Sequence, residues 1–457
     1  MNKLAQLDHK FVWHPFTQMR DWLRREPIVI VKGKGAILRD AKGREFLDAN
    51  SSIWTNLHGH NHPKINSAIS RQLKKIAHSS ALGFANEPAS LLAEKLVQSA
   101  NGKLKKVFFS DDGSTAVEVA LKMACEFSRR TKKIKHPQFL SLENAYHGDT
   151  IGAVSLGHID LFHERFSSLL FKTDKVFSPY CYRCPFNRAK PQRDDARNYR
   201  KCNWECVGLV EKKFAAQKRK GNSYAALVVE PLIQGAAGMI PQPESWLKQI
   251  SEITRGHGAL LIADEVMTGF GRTGKMFACQ KEKVQPDFLC AAKGLTGGYL
   301  PMAATLTTRK VFDAFLGEYD EFKTFFHGHS YTGNQLSAAA ALASLEILQS
   351  KKSIRAREQL EKLLREELKS LWQLPNVGDI RQVGLIAGIE LVKNWRTREP
   401  FALREQVGIR VCDAMAKRGV LTRPIGNVMV LMPPYCTTAM QLKKIIAGMR
   451  ESIAATF

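Results

Sequence analysis

The chain has 457 residues, of which 44% are hydrophobic and 24% are charged. This is enough apolar sequence to bury a large core, and the length suggests two or three domains, or one large domain with a smaller partner. No run approaches the roughly 18 consecutive apolar residues of a membrane helix. Met1 to Lys10 also lack the apolar core of a secretion signal. We therefore expect a cytoplasmic protein with no membrane partner.

The charge of the chain is strongly basic. Lys and Arg number 68 against 43 Asp and Glu, which gives a formal net charge of +25. The surplus is spread along the chain, with one concentration from Arg183 to Lys220, and no nucleic-acid-binding motif accompanies it. We expect a soluble enzyme with a basic surface, no nucleic-acid partner and small-molecule substrates. A basic nucleic-acid-binding protein is the remote alternative.

Short apolar runs alternate with helical patterns through most of the chain. Helical periodicity predicts a helix over 114–129. Strands interleaved with helices predict an α/β fold with a mostly parallel sheet. The predicted buried strands are at 105–109, 139–142, 225–229 and 259–263.

The last third of the chain predicts a second, smaller domain. A polar break at 191–199 predicts a loop, and a long helical pattern begins at Gln335. This helix leads into further apolar runs near 384–392 and 428–432, which predict strands separate from those of the first part.

The turn at 111–115, which follows the first predicted strand and begins a helix, is a candidate anion site. Backbone N–H groups at a helix N-terminus have no partner within the helix, and the helix dipole there favours negative charge. Gly113 permits close approach of a ligand, and the hydroxyl of Ser114 can donate a hydrogen bond. The pattern indicates a phosphate site, with an ordinary N-cap as the alternative.

Two more residues carry candidate chemistry. Asp264 ends a predicted buried strand, where its carboxylate could hold a protonated pyridine nitrogen; a helix cap or an ion pair is the alternative. Lys293 stands in the apolar, glycine-rich run A-A-K-G-L-T-G-G, where burial would make its amine a nucleophile for a carbonyl. A lysine that extends to solvent is the alternative.

The nine cysteines are odd in number and scattered, which fits reduced thiols better than a disulfide framework. Four of them form two close pairs, Cys181 with Cys184 and Cys202 with Cys206. We take these as free thiols of a surface insertion at 181–206 and expect no metal; a zinc site made by the two pairs is the alternative.

These segments together resemble the class III aminotransferases of pyridoxal-phosphate fold type I. The resemblance rests on the run D-E-V-M-T-G-F-G-R-T-G at 264–274, followed by Lys293 in its glycine-rich setting. It extends over nearly the whole chain, from W-H-P-F-T to L-M-P-P-Y. The runs W-H-P, N-A-Y-H-G-D-T and R-P resemble the branch that converts 8-amino-7-oxononanoate into 7,8-diaminononanoate in biotin biosynthesis.

The resemblance implies a role for each matching position around the cofactor. Lys293 would carry pyridoxal 5'-phosphate as a Schiff base and move the proton during catalysis. Asp264 would hold the ring nitrogen, and Gly113 and Ser114 would bind the phosphate. Tyr146 would stack on the ring or line the substrate pocket.

The resemblance also implies a substrate pocket and a homodimer. Arg423 would bind the substrate carboxylate as a bidentate fork. Phe16, Ile53 and Trp54 would line the substrate pocket, together with Lys293. Residues from the run F-H-G-H-S would cross the dimer interface to the cofactor of the second subunit, so that active sites are shared; these are Gly328, His329 and Ser330.

The pocket residues bear on the amino donor. Members of this branch that use S-adenosylmethionine typically have tyrosine, tryptophan and tyrosine where Phe16, Ile53 and Val430 stand, while Trp54 is shared. Aromatic faces suit a sulfonium cation, so their loss favours the members that use L-lysine. The same preference comes from the segments at 16–19, 324–334 and 377–382. The resemblance leaves S-adenosylmethionine and L-lysine as the candidate donors.

Fold type I implies a large domain with a mostly parallel sheet and a smaller α/β domain built from both termini. We place the parts of the small domain at 1–65 and 335–457, and the large cofactor-binding domain at 66–334. The nearest alternative function is another class III enzyme, such as an ω-amino acid:pyruvate or 4-aminobutyrate aminotransferase, which would share the cofactor residues but not W-H-P or Arg423.

Overall fold

The computed structural model describes residues 1–190, 193–194 and 200–457, so the loop predicted at 191–199 lies outside the described residues apart from 193 and 194. The N-terminal part contains two helices followed by three antiparallel strands. They are α1 (Lys3–Phe11), α2 (Met19–Leu23), β1 (Ile30–Lys34), β2 (Ile37–Asp40) and β3 (Glu45–Asp48).

The segment Ser51–Trp54, which follows β3, is a turn of left-handed helix. Its four residues have φ angles of 48°, 49°, 61° and 68°. Each non-glycine residue in this conformation costs roughly 1–2 kcal/mol, so tertiary contacts must stabilise the turn. Ser51 Oγ donates a hydrogen bond of 2.6 Å to the carbonyl of Met432, and the Ser52 N–H donates one of 2.9 Å to the Asp48 carboxylate.

The middle of the chain forms the central sheet and a short hairpin. Their strands are β4 (Leu104–Ser110), β5 (Gln138–Leu142), β6 (Asp174–Val176), β7 (Tyr224–Val229), β8 (Ile233–Gln234), β9 (Ile240–Pro241), β10 (Leu260–Asp264), β11 (Phe288–Ala291) and β12 (Ala303–Thr308). The seven-stranded sheet has the order β4-β12-β11-β10-β7-β5-β6. β12 is antiparallel to both of its neighbours, β4 and β11, whereas the other described neighbours in this sheet pair in parallel.

Helices cover the central sheet. Every residue of β7 and β10 is buried, as expected of parallel strands with helices on both faces. The helices of this part of the chain are α3 (Pro63–Leu73), α4 (Glu87–Ala100), α5 (Gly113–Lys132), α6 (Ile151–Leu156), α7 (Asp160–His163), α8 (Glu205–Arg219), α9 (Trp246–Gly256) and α10 (Arg309–Asp313). The strands predicted at 105–109, 139–142, 225–229 and 259–263 are confirmed.

The last third contains a second sheet between long helices. Its elements are α11 (Gln335–Gln349), α12 (Lys351–Leu368), β13 (Val377–Val383), β14 (Ile386–Asn394), β15 (Glu399–Pro400), α13 (Val407–Lys417), β16 (Val420–Leu421), β17 (Pro424–Ile425), β18 (Val428–Leu431) and α14 (Ala439–Ala454). Strands β13, β14, β18 and β17 form an antiparallel sheet, with β15 beside β14. The helix and strands predicted for this region are confirmed.

The two ends of the chain meet in one sheet. β16 pairs in parallel with β3, so the N-terminal meander and the C-terminal part share hydrogen bonds. Leu47 of β3 packs in the same apolar cluster as Leu431 of β18 and Ile445 of α14. The predicted α/β class with a mostly parallel sheet is confirmed. Within the described ranges, no helix combines the length and the apolar character needed to cross a bilayer.

Candidate active site

Five segments follow the carboxyl ends of strands and meet at one edge of the central sheet. β7 is followed at once by Glu230, β10 ends in Asp264, and Lys293 comes two residues after β11. Because these three strands are parallel neighbours, the three side chains converge. The segments after β4 and β5 complete a cavity of about 440 Å³. Its walls include Trp54, Gly113, Ser114, Tyr146, His147, Glu230, Asp264 and Lys293.

A buried histidine is hydrogen-bonded to one of the two buried carboxylates of this cavity. His147 Nδ1 donates a hydrogen bond of 2.7 Å to Asp264 Oδ2. Burial acts to lower the pKa of His147, but the hydrogen bond to Asp264 and the charges of Asp264 and Glu230 raise it above its usual value. The Asp264 carboxylate also accepts the Val266 N–H at 3.0 Å, so the residue is held by both oxygens. The two hydrogen bonds fix the orientation of the buried Asp264 carboxylate.

Glu230 is the second carboxylate of the cavity, and it directly follows the buried strand β7. Burial raises the pKa of Glu230 to about 7, against the opposing charge of His147. Its carboxylate accepts the Gly235 N–H at 2.7 Å and the Tyr146 N–H at 3.3 Å. Glu230 is therefore an acid that titrates near neutral pH beside the cavity.

Lys293 is half-buried and lines the cavity wall. Burial lowers the pKa of its amine, while the charges of Asp264 and Glu230 oppose that change. The amine lies 4.9 Å from the centre of the Trp54 ring. Lys293 has a φ of 43°, an uncommon value for a side-chain-bearing residue. A half-buried lysine whose amine has a lowered pKa is suited to attack a carbonyl carbon.

The N-terminus of α5 forms the opposite wall. Asp112 caps the helix by accepting the Thr115 N–H at 2.9 Å, which leaves the N–H groups of Gly113 and Ser114 without partners inside the helix. A Cβ on Gly113 would lie 2.6 Å from Val266 Cγ1, so only glycine fits there. This wall has the N–H groups and the dipole that an anion requires.

Tyr146 lines the same cavity as Lys293 and the N-terminus of α5. Its hydroxyl donates a hydrogen bond of 2.6 Å to Asp149, and burial together with that carboxylate raises its pKa above the usual range. Its ring is nearly parallel to that of His163, with centroids 6.3 Å apart. The tyrosine is therefore neutral and fixed in orientation.

The predicted substrate residues are divided between two cavities. Trp54 lines the first, whereas Phe16, Ile53 and Arg423 line a second cavity of about 550 Å³. Arg423 Nη2 donates a hydrogen bond of 3.0 Å to the carbonyl of Phe16. Because Ile53 and Trp54 are consecutive residues of the left-handed turn, that turn is the wall between the cavities. Val430 is fully buried and lines neither of them.

The predicted interface residues lie outside the first cavity of their own chain. Neither Gly328 nor Ser330 is among its lining residues. His329 Nδ1 lies 3.1 Å from Asp111 Oδ2, and Asp111 does line the cavity. The Ser330 carbonyl accepts a hydrogen bond of 2.9 Å from His78.

The nine cysteines, all within the described ranges, are free thiols. The expected surface position of the 181–206 insertion is wrong for Cys181 and Cys206, which are buried against aromatic and aliphatic side chains. In the part of the chain that the structure describes, no three His, Cys, Asp or Glu side chains are arranged to hold a metal ion.

Sequence reasoning assigned no role to Glu230 or His147. Glu230 could have been found by the rule that identified Asp264, because it follows the apolar run A-A-L-V-V directly. His147 belongs to the run N-A-Y-H-G-D-T, but its partner Asp264 is 117 positions away.

The family model described as aminotransferase class-III matches residues 19–453. The chain belongs to the class III aminotransferase family. The adenosylmethionine-8-amino-7-oxononanoate aminotransferase of Geobacter sulfurreducens is 48% identical over 450 residues, which cover 98% of this chain and 97% of that protein. The predicted family is confirmed.

Solved structures agree with the fold. The crystal structure of the adenosylmethionine-8-amino-7-oxononanoate aminotransferase of Methanocaldococcus jannaschii matches with a TM-score of 0.91 at 40% identity, covering 99% of this chain and 98% of that one. An omega transaminase from Pseudomonas jessenii in complex with PMP has a TM-score of 0.91 at 28% identity, covering 100% and 98%. Fold type I is confirmed.

The cofactor of class III aminotransferases is pyridoxal phosphate, as predicted. The residues of the first cavity fit this group. The cavity contains a buried carboxylate at Asp264, a lysine at Lys293, and a helix N-terminus whose glycine leaves room for a phosphate beside Val266. These are the three contacts that a pyridine nitrogen, an aldehyde and a phosphate require.

Proposed function

We propose that this aminotransferase transfers an amino group to 8-amino-7-oxononanoate and so forms 7,8-diaminononanoate for biotin biosynthesis. The observation that carries the proposal is the convergence of Lys293, Asp264 and the α5 N-terminus on one cavity. The chain is also 48% identical, over nearly its whole length, to a protein named for this substrate.

The cofactor residues have distinct tasks in this proposal. When bound, pyridoxal phosphate supplies an electron sink for the substrate carbon that bears the amino group. Lys293 Nζ would hold the cofactor covalently and, once free, would move the proton between that substrate carbon and the cofactor carbon. Asp264 would hold the ring nitrogen, and the hydrogen bond from His147 orients the Asp264 carboxylate.

The remaining walls fix the position of the ring. The N–H groups of Gly113 and Ser114 bind the phosphate at the helix N-terminus. Tyr146, whose pKa is raised too far for ionisation at neutral pH, would present a neutral aromatic surface to the ring or to the substrate. These contacts would hold the reacting carbon near Lys293. Such positioning lowers the barrier because the reacting groups no longer have to be brought together.

The second cavity is the proposed site for the substrate chain. Arg423 would bind the substrate carboxylate with its planar fork. Phe16 and Ile53 line the walls, and Trp54 separates this cavity from the cofactor. The relatives' name includes adenosylmethionine, whereas Phe16 and Ile53 in place of larger aromatic residues favour L-lysine as donor.

We further infer a homodimer with shared active sites, in which Gly328, His329 and Ser330 reach the cofactor of the second subunit. The support is an exposed apolar surface next to these residues, with Leu82, Phe84, Phe326 and Tyr331 each at least 62% exposed. A patch of this kind marks an interaction surface. Light scattering on the purified enzyme should give twice the chain mass of 51.3 kDa; a monomer that is fully active would contradict shared sites.

The same proposal includes the domain division and location. Residues 1–65 and 335–457 would form the small domain and 66–334 the large one. The support is the pairing of β3 with β16, which joins both termini. We propose a cytoplasmic location, which fractionation of cells expressing the protein would test.

The function is tested by the complete reaction. Holoenzyme, 8-amino-7-oxononanoate and one amine at a time should give 7,8-diaminononanoate with S-adenosylmethionine or L-lysine. Activity with L-lysine alone would support our interpretation of Phe16 and Ile53; activity with S-adenosylmethionine alone would contradict it. Efficient turnover of 4-aminobutyrate or ω-amino acids with pyruvate, and none with 8-amino-7-oxononanoate, would favour the alternative class III function.

A further inference from the structure

Phe162 of α7 contacts one aromatic residue from each of the two cavities. Its ring meets that of Phe16 edge to face, with centroids 5.3 Å apart and an angle of 74° between the planes. It meets the ring of Tyr146 in the same way, at 6.3 Å and 82°. Both geometries are ones that aromatic pairs favour. Phe16 lines the second cavity and Tyr146 the first, so the half-buried Phe162 is an aromatic link between them.

The helix that carries Phe162 is fixed on the side of the cofactor cavity. His163, the last residue of α7, is 5% exposed, and its Nδ1 accepts the Ile159 N–H at 3.1 Å. A Cβ on Gly157 would lie 2.1 Å from His163 Cε1, so the imidazole packs closely against the backbone there. Its ring also lies nearly parallel to that of Tyr146. Phe162 therefore extends from an anchored helix.

Phe16, at the other end of the link, depends on contacts with distant parts of the chain. Its φ is 49°, a left-handed conformation that a phenylalanine adopts only when other contacts stabilise it. Its side chain is 59% exposed. Two contacts oppose the unfavourable conformation: the ring of Phe162, and the hydrogen bond of 3.0 Å that the Phe16 carbonyl accepts from Arg423 Nη2.

Tyr146 depends less on Phe162 than Phe16 does. The Tyr146 hydroxyl donates a hydrogen bond of 2.6 Å to Asp149, and its ring is aligned with that of His163. These contacts remain when the Phe162 ring is removed. Removal of this ring should therefore release Phe16 while Tyr146 keeps its position in the cofactor cavity.

We propose that Phe162 is a positioning residue of the substrate site, whose ring holds Phe16 and, through the Phe16 carbonyl, the guanidinium of Arg423. This inference rests on the proposed function, in which Arg423 binds the substrate carboxylate. Phe162 touches neither the cofactor residue Lys293 nor the substrate in this account. It acts through Phe16.

The expected consequence is a change in substrate affinity and not in turnover. A guanidinium binds a carboxylate with two parallel hydrogen bonds only when its plane is correctly oriented. An Arg423 that is no longer held must be ordered when the substrate binds, which weakens binding. The aromatic contacts that are lost predict a rise in KM of about tenfold, with kcat within about threefold of the wild type.

The first test is steady-state kinetics of the holoenzyme with 8-amino-7-oxononanoate at a saturating donor concentration. Phe162→Ala should raise KM about tenfold and retain kcat, whereas the control Phe166→Ala, a 52% exposed phenylalanine four positions further on, should change neither. Because Phe162 acts through Phe16, the double variant Phe16→Ala/Phe162→Ala should have the KM of Phe16→Ala alone.

Three results of this experiment would overturn the proposal. They are an unchanged KM in Phe162→Ala, a loss of kcat without a change in KM, and effects of the two substitutions that multiply in the double variant. A role of Phe162 in stability alone would lower the unfolding temperature and leave KM unchanged, so a thermal unfolding curve of each variant accompanies the kinetics.

A second measurement needs no substrate. With 4-fluorophenylalanine incorporated at position 16, the ¹⁹F resonance of the holoenzyme reports the ring that faces Phe16. The resonance should shift in Phe162→Ala and stay in place in Phe166→Ala. An identical resonance in Phe162→Ala and the wild type would show that Phe162 does not hold Phe16. If the wild type does not convert 8-amino-7-oxononanoate, the proposed function fails, and this spectrum still decides whether the aromatic link exists.

Discussion

The two cavities of this enzyme are built in different ways. The first lies at the carboxyl edge of the central sheet, and Asp264, Glu230 and Lys293 each reach it from the end of a neighbouring parallel strand. The second is made by segments from both ends of the chain, with Phe16 and Arg423 separated by 407 positions and joined by one hydrogen bond. The first cavity is formed at the ends of neighbouring strands, and the second by segments that are distant along the chain.

This difference separates the residues proposed to bind the cofactor from the residues proposed to select the substrate. The strand ends hold the cofactor groups in a geometry that a whole family can share, because the sheet fixes it. The second cavity can change with a few substitutions near the termini, since its residues carry little of the core. We therefore expect changes in the first cavity to affect turnover or cofactor binding, and changes in the second to affect KM.

The largest effect is expected for Lys293→Ala. Removal of the amine eliminates both the covalent attachment and the proton transfer, so kcat should fall by about 10⁴-fold or more. A steady-state assay checks this, with the exposed lysine variant Lys275→Ala as control. Activity within tenfold of the wild type would show that Lys293 is not the reacting lysine.

Asp264→Asn should be the next most damaging change. The amide cannot hold a positive charge on the ring nitrogen, and the hydrogen bond from His147 loses its charged partner, so kcat should fall by about 10²- to 10³-fold. The rate of the half-reaction with the amino donor measures this directly. A variant whose half-reaction rate is unchanged would mean that Asp264 acts only as a structural partner of His147.

Gly113→Ala tests the phosphate wall. The new Cβ would lie 2.6 Å from Val266 Cγ1, and crowding of this kind costs about 1–3 kcal/mol, so the cofactor affinity should fall by about tenfold or more. Cofactor titration of the cofactor-free protein measures the change. Val266→Ala in the same chain should restore affinity, whereas Gly208→Ala, where a Cβ meets nothing within 4 Å, should leave affinity unchanged.

Arg423→Lys should affect the second cavity alone. Loss of one charged hydrogen bond costs roughly 1.5 kcal/mol, so KM for 8-amino-7-oxononanoate should rise about tenfold while kcat is retained. Steady-state kinetics with a saturating donor check this. An unchanged KM would exclude the second cavity as the carboxylate site.

The last expected effect concerns stability rather than activity and comes from the titration of Glu230. Its pKa is raised to about 7 in the folded protein, so folding favours the protonated acid. The free energy of unfolding of the cofactor-free protein should therefore fall as pH rises from about 4.5 through about 7, by up to about 1.4 kcal/mol per pH unit. Denaturant titrations of Glu230→Gln should lack this slope; a slope equal to that of the wild type would assign it to other groups.

The cofactor site was largely predictable from the sequence because its signals are local. An apolar run that ends in a carboxylate, or a glycine at a helix start, points to Asp264 and Gly113 without knowledge of the fold. The hydrogen bond between His147 and Asp264 could not be predicted from the sequence, because it depends on the order of β5, β7 and β10 in the sheet. Strand β12 was also missed, since its small and threonine-rich sequence lacks a strong apolar pattern.

The second cavity could not be derived from local patterns. Phe16, Ile53 and Arg423 were identified only through resemblance to the family. The left-handed turn Ser51–Trp54 contains neither glycine nor asparagine, so its residue types do not indicate a left-handed backbone conformation. Contacts with Met432 and Asp48 impose it, and such contacts appear only when both ends of the chain are folded together.

The most direct test of the whole account is a pair of half-reactions on the holoenzyme, followed through the absorption band of the bound cofactor. S-adenosylmethionine or L-lysine, added alone, should remove the band, and 8-amino-7-oxononanoate added after removal of the amine should restore it. If neither amine removes the band, or if the oxo acid does not restore it, the proposed reaction is wrong.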